Sequence, residues 1–286
     1  LFGGVLGLAI WAAIILRWQR GLWWLLFYIP YGGVITLTMN STPATLLFKD
    51  FAFVIPLYIA FFLFNMREVR NAPVPQIVLL SMGFLAVLVL LQTMNPGILH
   101  WMVAAIGVKV WLFYMPLIFV TGAFIADRED LIKLLRVMVA IGILPCLVGL
   151  TQWIGASTIG YEATISAFYG QQAAANATQG FASFDYGGAY YRIPSTFTFT
   201  SQYFGYTMGM VVMSYALLRI DPKPKWQRFA LIMIGVFVVA SILSGARGAL
   251  VFIPLLLVFT VFLDRRLKGI FAGVVIMPFV VLAALY

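Results

Sequence analysis

PQIVLLSMGFLAVLVLLQTM, residues Pro75–Met94, runs for twenty residues without an acidic or basic side chain. At about 1.5 Å of rise per residue, a helix of that length reaches about 30 Å, the thickness of a bilayer's hydrocarbon core. Its apolar residues do not alternate with polar ones, which argues against an outer-membrane barrel strand. A backbone surrounded by lipid must satisfy its own hydrogen bonds, and a helix does so within one segment. Similar runs recur on both sides of it. They divide the chain into about ten predicted spans near 1–16, 21–39, 45–64, 75–94, 101–125, 131–154, 201–219, 228–244, 247–263 and 269–286. The predicted fold is therefore all-α, a polytopic integral membrane helical bundle of about ten transmembrane helices with one long outer loop.

Composition supports the same class. The 286 residues are 63% hydrophobic and 9% charged, with a mean hydropathy of +1.03, too much apolar surface for one water-soluble core. A net charge of +9 would suggest nucleic acid in a soluble protein. Here the basic residues flank apolar spans and read as orientation signals, so nucleic acid is discarded as a partner and membrane lipid expected as the surroundings. The single cysteine, Cys146, lies inside an apolar run and cannot form an internal disulfide. The chain opens and closes within apolar runs, so it reads as a piece of a longer protein. That piece is one transmembrane domain over 1–286, with an extracytoplasmic loop at 155–200.

Of the 18 Lys and Arg residues, 14 fall in alternate gaps: 17–20, 67–70, 128–136, 219–228 and 265–268. The intervening gaps carry almost none. The excess of positive charge in cytoplasmic loops places the first set inside without skipping or adding a span. Among the outward gaps only 155–200 is long, well beyond an ordinary connection. Its Tyr161, Phe168, Tyr169, Phe181, Phe184, Tyr186, Tyr190 and Tyr191 provide aromatic surface that a solvated linker lacks, so it is expected to fold over the outer mouth. These rings can stack on sugars or form an interfacial belt. The Ala-, Gln- and Asn-rich segment 171–179 is expected to be a mobile tip.

Four cations stand outside the cytoplasmic set: Lys49, Lys109, Arg192 and Arg247. Arg247 closes Ser241-Ile-Leu-Ser-Gly-Ala-Arg247, whose small residues permit close helix approach. An Arg at bilayer depth costs about 2.5–3.5 kcal/mol on insertion scales, which a ligand or outer headgroups can offset. Arg192 precedes Pro194-Ser-Thr-Phe197, where the long loop returns to the membrane; it can face the mouth or the surface. Lys49 lies about 6 Å into its span with Asp50 beside it, and Lys109 about 13 Å in. A lysine that deep faces a wet cavity or a partner, with pairing to Asp50 the alternative. Together the four suggest an outward cleft for an anion. Forked Arg donors and a Lys point charge suit a diphosphate, and a lipid-linked diphosphate would leave its tail in the bilayer. No Cys/His cluster, P-loop or nucleophile elbow is present, so neither metal nor cofactor is expected. His100, at an outer helix end beside Trp101, suits an interfacial role better than catalysis.

Ser244-Gly-Ala-Arg-Gly-Ala-Leu250 opening a span, Lys49-Asp50 near the outer start of an earlier one, and Arg192 before Pro-Ser-Thr-Phe resemble the O-antigen ligase and polymerase superfamily. The hydropathy pattern of nearly the whole chain is similar as well. The resemblance implies a metal-independent membrane glycosyltransferase of the bacterial inner membrane. It would move a glycan from undecaprenyl diphosphate to a glycan or lipid acceptor hydroxyl on the periplasmic face. It implies catalytic roles for Arg247 and Arg192, which would bind the diphosphate and stabilise it as leaving group, with Lys49 assisting. Lys109 completes the predicted substrate-binding set. Ligases of this family carry a histidine in a second large outer loop, which would follow the last span here. Of the carboxylates in the loop present, Glu162 and Asp185, neither is assigned as a base. A transporter of an anionic solute or lipid-linked glycan is the competing function, and a noncatalytic membrane scaffold a third; no internal repeat supports the transporter.

Overall fold

The computed structural model describes residues 2–39, 42–98, 100–180, 184–185, 189–249 and 251–256. They are helical apart from turns, extended connections and one short antiparallel pairing of Phe184–Asp185 with Ala189–Tyr190. Five helical runs are long and apolar enough to cross a membrane: Ala44–Leu63, Gln76–Thr93, Trp101–Phe124, Arg128–Thr158 and Pro224–Leu243. A sixth arises if Trp18–Tyr28 and Gly32–Thr38, bent by 60° at their junction, count as one span. These runs mark a membrane protein. In Gln76–Thr93 no residue is buried within the protein, and so apolar a surface requires lipid around it.

The remaining predicted spans fare differently. The segment 269–286 lies outside the described residues, as does 247–263 beyond residue 256. Thr200–Ile220 is a helix of 21 residues, but Gln202, Tyr203, Tyr206, Thr207, Ser214 and Arg219 dilute its apolar character and it is not among the five. At the start of the chain the apolar helix Phe2–Leu16 has 15 residues, fewer than a full crossing needs.

Contacts divide the chain into two compact units, the first formed by residues up to 25 and 50–131, the second by 26–49 and 132 onward. In the first, Ile14, Trp18, Leu22, Val54, Leu57, Ala60, Phe61 and Val120 form the core. Gly21 lets two elements meet, since a Cβ there would come within 2.8 Å of Ile14 Cγ2. The Ala44–Leu63 run is not a uniform α-helix; Asp50–Val54 and Ile59–Leu63 are π-helical turns. Carbonyls loosened by such breaks find no water in a bilayer and need protein donors. Trp11 Nε1 donates to Phe51 O at 2.9 Å and Asn65 Nδ2 to Ala60 O at 2.7 Å. At the break before Pro116, Leu117 N bonds to Tyr114 O, and the Tyr58 hydroxyl donates to Phe113 O at 2.6 Å.

The second unit is built on the Thr200–Ile220 and Pro224–Leu243 hairpin, packed through Met210, Val211, Leu217, Ala230, Ile234 and Phe237. The Ser241 hydroxyl donates to Thr207 Oγ1 across it at 2.8 Å. Gly142 and Gly149 leave room for Phe237 and Tyr203, which bring the Ile143–Thr158 helix against this hairpin. Pro145 cannot donate to Ile141 O, and the Tyr31 hydroxyl takes that carbonyl at 2.9 Å. At the hairpin turn Asp221 is buried, and Arg136 forks onto it with Nε–Oδ2 2.6 Å and Nη2–Oδ1 2.7 Å. Asp221 Oδ1 also accepts from Lys223 N, and Trp226 lies 5.1 Å below the guanidinium.

Within 155–200 the chain forms two short helices. Gly160 and Gly170, both at φ 92°, delimit the helix Tyr161–Tyr169, and Gln171–Gly180 follows. Ile165, Tyr169, Ala173 and Ala174 bury against Leu37, with Val34 and Tyr161 at the edge. The expected mobile tip at 171–179 is thus a helix, because its adjacent alanines offer a small apolar face that packs at no side-chain entropy cost.

Candidate functional site

Within the second unit, the chain forms a strap at Tyr191–Thr198. Ile193 and Ser195 are fully buried, and Thr196 and Phe197 nearly so. Ile193 N donates to Ser244 O at 3.1 Å. Thr196 Oγ1 donates to the Pro30 carbonyl at the bend between Trp18–Tyr28 and Gly32–Thr38. Gly33 admits the strap, since a Cβ there would overlap the Phe197 main chain. Phe197 then packs its ring on Tyr203 and Tyr206, with centroids 5.9 and 5.0 Å away.

Ser195 is the only non-glycine residue with positive φ among the described residues, at 52°. Left-handed backbone costs a side-chain-bearing residue about 1–2 kcal/mol, so the surroundings must hold it there. They do so through every polar atom it has. Its N–H donates to Gln152 Oε1 at 2.9 Å, and its Oγ donates to Pro145 O at 2.5 Å. Its carbonyl accepts from the Tyr169 hydroxyl and, at 3.4 Å, from Gln152 Nε2. Gln152 Nε2 also donates to the Tyr169 oxygen at 2.8 Å, closing the network. Burial pushes the Tyr169 phenol up to about 12, so it remains a donor at neutral pH.

The facing segment is the turn after Pro224–Leu243. Ser244 is buried, its hydroxyl donating to Ser241 O at 2.6 Å and accepting from Ala246 N at 3.2 Å. Gly245 adopts φ 71°, and a Cβ there would overlap the Tyr191 carbonyl. Only glycine meets both conditions. Arg192 is half-buried; its carbonyl accepts from the Tyr161 hydroxyl at 3.0 Å, and Tyr161 stacks on Tyr191 at 5.8 Å with ring planes 3° apart. Burial outweighs the opposing charge of Arg192 and raises the Tyr161 phenol to about 12, which keeps it protonated for that bond. Arg192 precedes one end of the Ile193–Ser244 bond and Arg247 follows the other by three residues, exposed. The two arginine-bearing segments are therefore joined by one main-chain pairing.

Lys49 and Lys109 complete the predicted set of cations. Lys49 ends the Pro43–Lys49 helix in the second unit, half-buried. Lys109 belongs to the first unit, where Nζ lies 2.5 Å from Asp50 Oδ2, the pairing left open as its alternative. Asp50 is buried and also accepts from the Tyr114 hydroxyl at 2.5 Å. His100 Nδ1 accepts from Met102 N at 3.2 Å, capping the Trp101–Leu112 helix, and its ring stacks on Trp101. Among the described residues no group of three or more His, Cys, Asp or Glu side chains is placed to hold a metal.

Gln152 and Tyr169 escape the sequence reading, although Gln152 carries a signal. An amide in the middle of an apolar run must find partners inside the protein once it is buried. Tyr169 is indistinguishable in sequence from the other loop aromatics. No family model, curated protein or solved structure matches this chain.

Proposed function

We propose that the chain is a membrane glycosyltransferase that uses a polyprenyl-diphosphate-linked glycan, of the O-antigen ligase or polysaccharide repeat-unit polymerase type. In this reading about ten spans cross a bacterial inner membrane and the 155–200 segment lies on the periplasmic side. Arg192 and Arg247 bind the diphosphate. The bond between the glycan's anomeric carbon and the diphosphate oxygen breaks, and the acceptor hydroxyl oxygen forms the new bond. The acceptor's proton is lost to a base or to water, and undecaprenyl diphosphate leaves as an anion. The two guanidinium groups stabilise charge that grows on that leaving oxygen, and stabilisation confined to the transition state is what accelerates a reaction. Lys49 adds positive charge from the same unit. Lys109 is assigned to its pair with Asp50.

The supporting observation is the Ile193–Ser244 bond, backed by the glycine-only fit of Gly245 on Tyr191, which joins the two arginine segments that the resemblance singles out. The 60° bend between Trp18–Tyr28 and Gly32–Thr38 favours the second reading, a transporter, because transport paths use broken helices. One assay separates them. Membranes carrying the full-length protein are supplied with undecaprenyl-diphosphate glycan and acceptor, with EDTA and without nucleotide sugar. Conversion of donor to acceptor-linked glycan at an undiminished rate is expected. Donor that changes sides without being consumed supports the transporter, and loss of conversion in EDTA that added magnesium restores contradicts the metal-independent scheme.

A further inference from the structure

The strap residue Ser195 has a left-handed backbone, is fully buried, and is bonded at N–H, carbonyl and hydroxyl, while the chain three residues earlier bears Arg192. A buried strained residue whose every polar atom is matched is over-determined, and such over-determination clusters where geometry matters to function. Two side chains from different elements supply most of the matching. Gln152 comes from the Ile143–Thr158 helix and is itself fully buried; Tyr169 comes from the last turn of Tyr161–Tyr169. A second hydroxyl on that short helix, Tyr161, reaches the Arg192 carbonyl. The outer segment thus grips its own returning end at two points, one on each side of Ile193, whose N–H docks on Ser244.

We propose that Gln152 and Tyr169 are positioning residues that set Arg192 beside the Ser244–Arg247 turn by holding Ser195 in its left-handed conformation. This rests on the reading of Arg192 and Arg247 as a diphosphate site. Neither residue touches the ligand; each acts through the strap. A structural role alone would make their loss independent of Arg192. A positioning role makes the two losses overlap, because an arginine that has lost its fork gains nothing from being aimed.

The test is a double-mutant cycle on the full-length protein in nanodiscs, with undecaprenyl diphosphate as probe. Tyr169→Phe keeps the ring that packs on Leu37 and Ile165 and deletes the hydroxyl. Binding about tenfold weaker is expected, from one lost bond to a buried group. In an Arg192→Lys background the same change should weaken binding less than twofold. Gln152→Glu, whose carboxylate accepts from Ser195 N–H but cannot donate to Tyr169, should behave alike and serves if Tyr169→Phe does not accumulate. Equal weakening in both backgrounds, or none in either, overturns the positioning role while leaving the diphosphate site standing. If Arg192→Lys and Arg247→Lys themselves bind the probe as wild type does, the diphosphate reading falls and this inference falls with it.

Discussion

Arg247→Lys is expected to lower glycan transfer about 100-fold or more, with lipid-linked donor accumulating in membranes that hold normal amounts of the protein. Lysine keeps the charge but replaces a planar fork by a single ammonium, so bidentate contact with phosphate oxygens is lost. A hydrogen bond between charged groups contributes about 1.5–3 kcal/mol, and removing one that strengthens as the leaving group departs acts on the rate. Arg192→Lys is expected to act in the same direction. Its main-chain bonds on either side belong to the backbone and survive the substitution. Separation of donor from product on a gel, normalised to protein level, reads the effect. Unchanged product in both variants would remove the arginines from the chemistry and favour transport.

The second large effect concerns stability. Asp221→Asn is expected to destabilise the second unit by about 3 kcal/mol, the lower end for breaking a buried pair, because Arg136 retains some exposure and is partly screened. The forked bond from Arg136 holds the Asp221 carboxyl below its ordinary value of 3.8, with Lys223 contributing. A carboxyl with a depressed folded pKa stabilises fully above its unfolded value and loses that contribution as pH falls through the folded one. Thermal unfolding in detergent should therefore show a pair contribution constant from neutral pH down to about 4 and declining below. In Asp221→Asn that acid-dependent component should be missing. A melting temperature that matches wild type at neutral pH would show that the pair contributes nothing net.

Much of the helical layout was legible because bilayer thickness imposes a length and water-free surroundings impose an apolar composition, as in Gln76–Thr93. Departures from regularity were not. Nothing in Asp50–Val54 announces a π-helical turn, since the hydrogen-bond donor that compensates it, Trp11, lies 40 residues away. The bend before Gly32 has a sequence marker in Pro30, but its partner Thr196 lies 166 residues on. The helices within 155–200 follow from glycines at Gly160 and Gly170 and from alanines that read equally well as a mobile tip. At the candidate site the residue types were legible and their grouping was only partly so. Charges in the wrong place for membrane orientation pointed to Lys109 and Arg247 alike, because insertion cost registers a cation without registering its partner. For Lys109 the neighbour is Asp50, which the sequence offered as one of two choices. The docking of Ile193 on Ser244 is a main-chain bond, independent of side-chain identity, and only Gly245 hinted that another backbone passes close by.

In the proposed mechanism Arg192 and Arg247 grip one and the same anion. Undecaprenyl diphosphate binding to the full-length protein, compared among wild type, Arg192→Lys, Arg247→Lys and the double variant, tests it most directly. Shared contact with one diphosphate predicts that each single change weakens binding at least about tenfold and that the double falls clearly short of the product of the two. Fully multiplicative losses, or wild-type binding in either single variant, would contradict it.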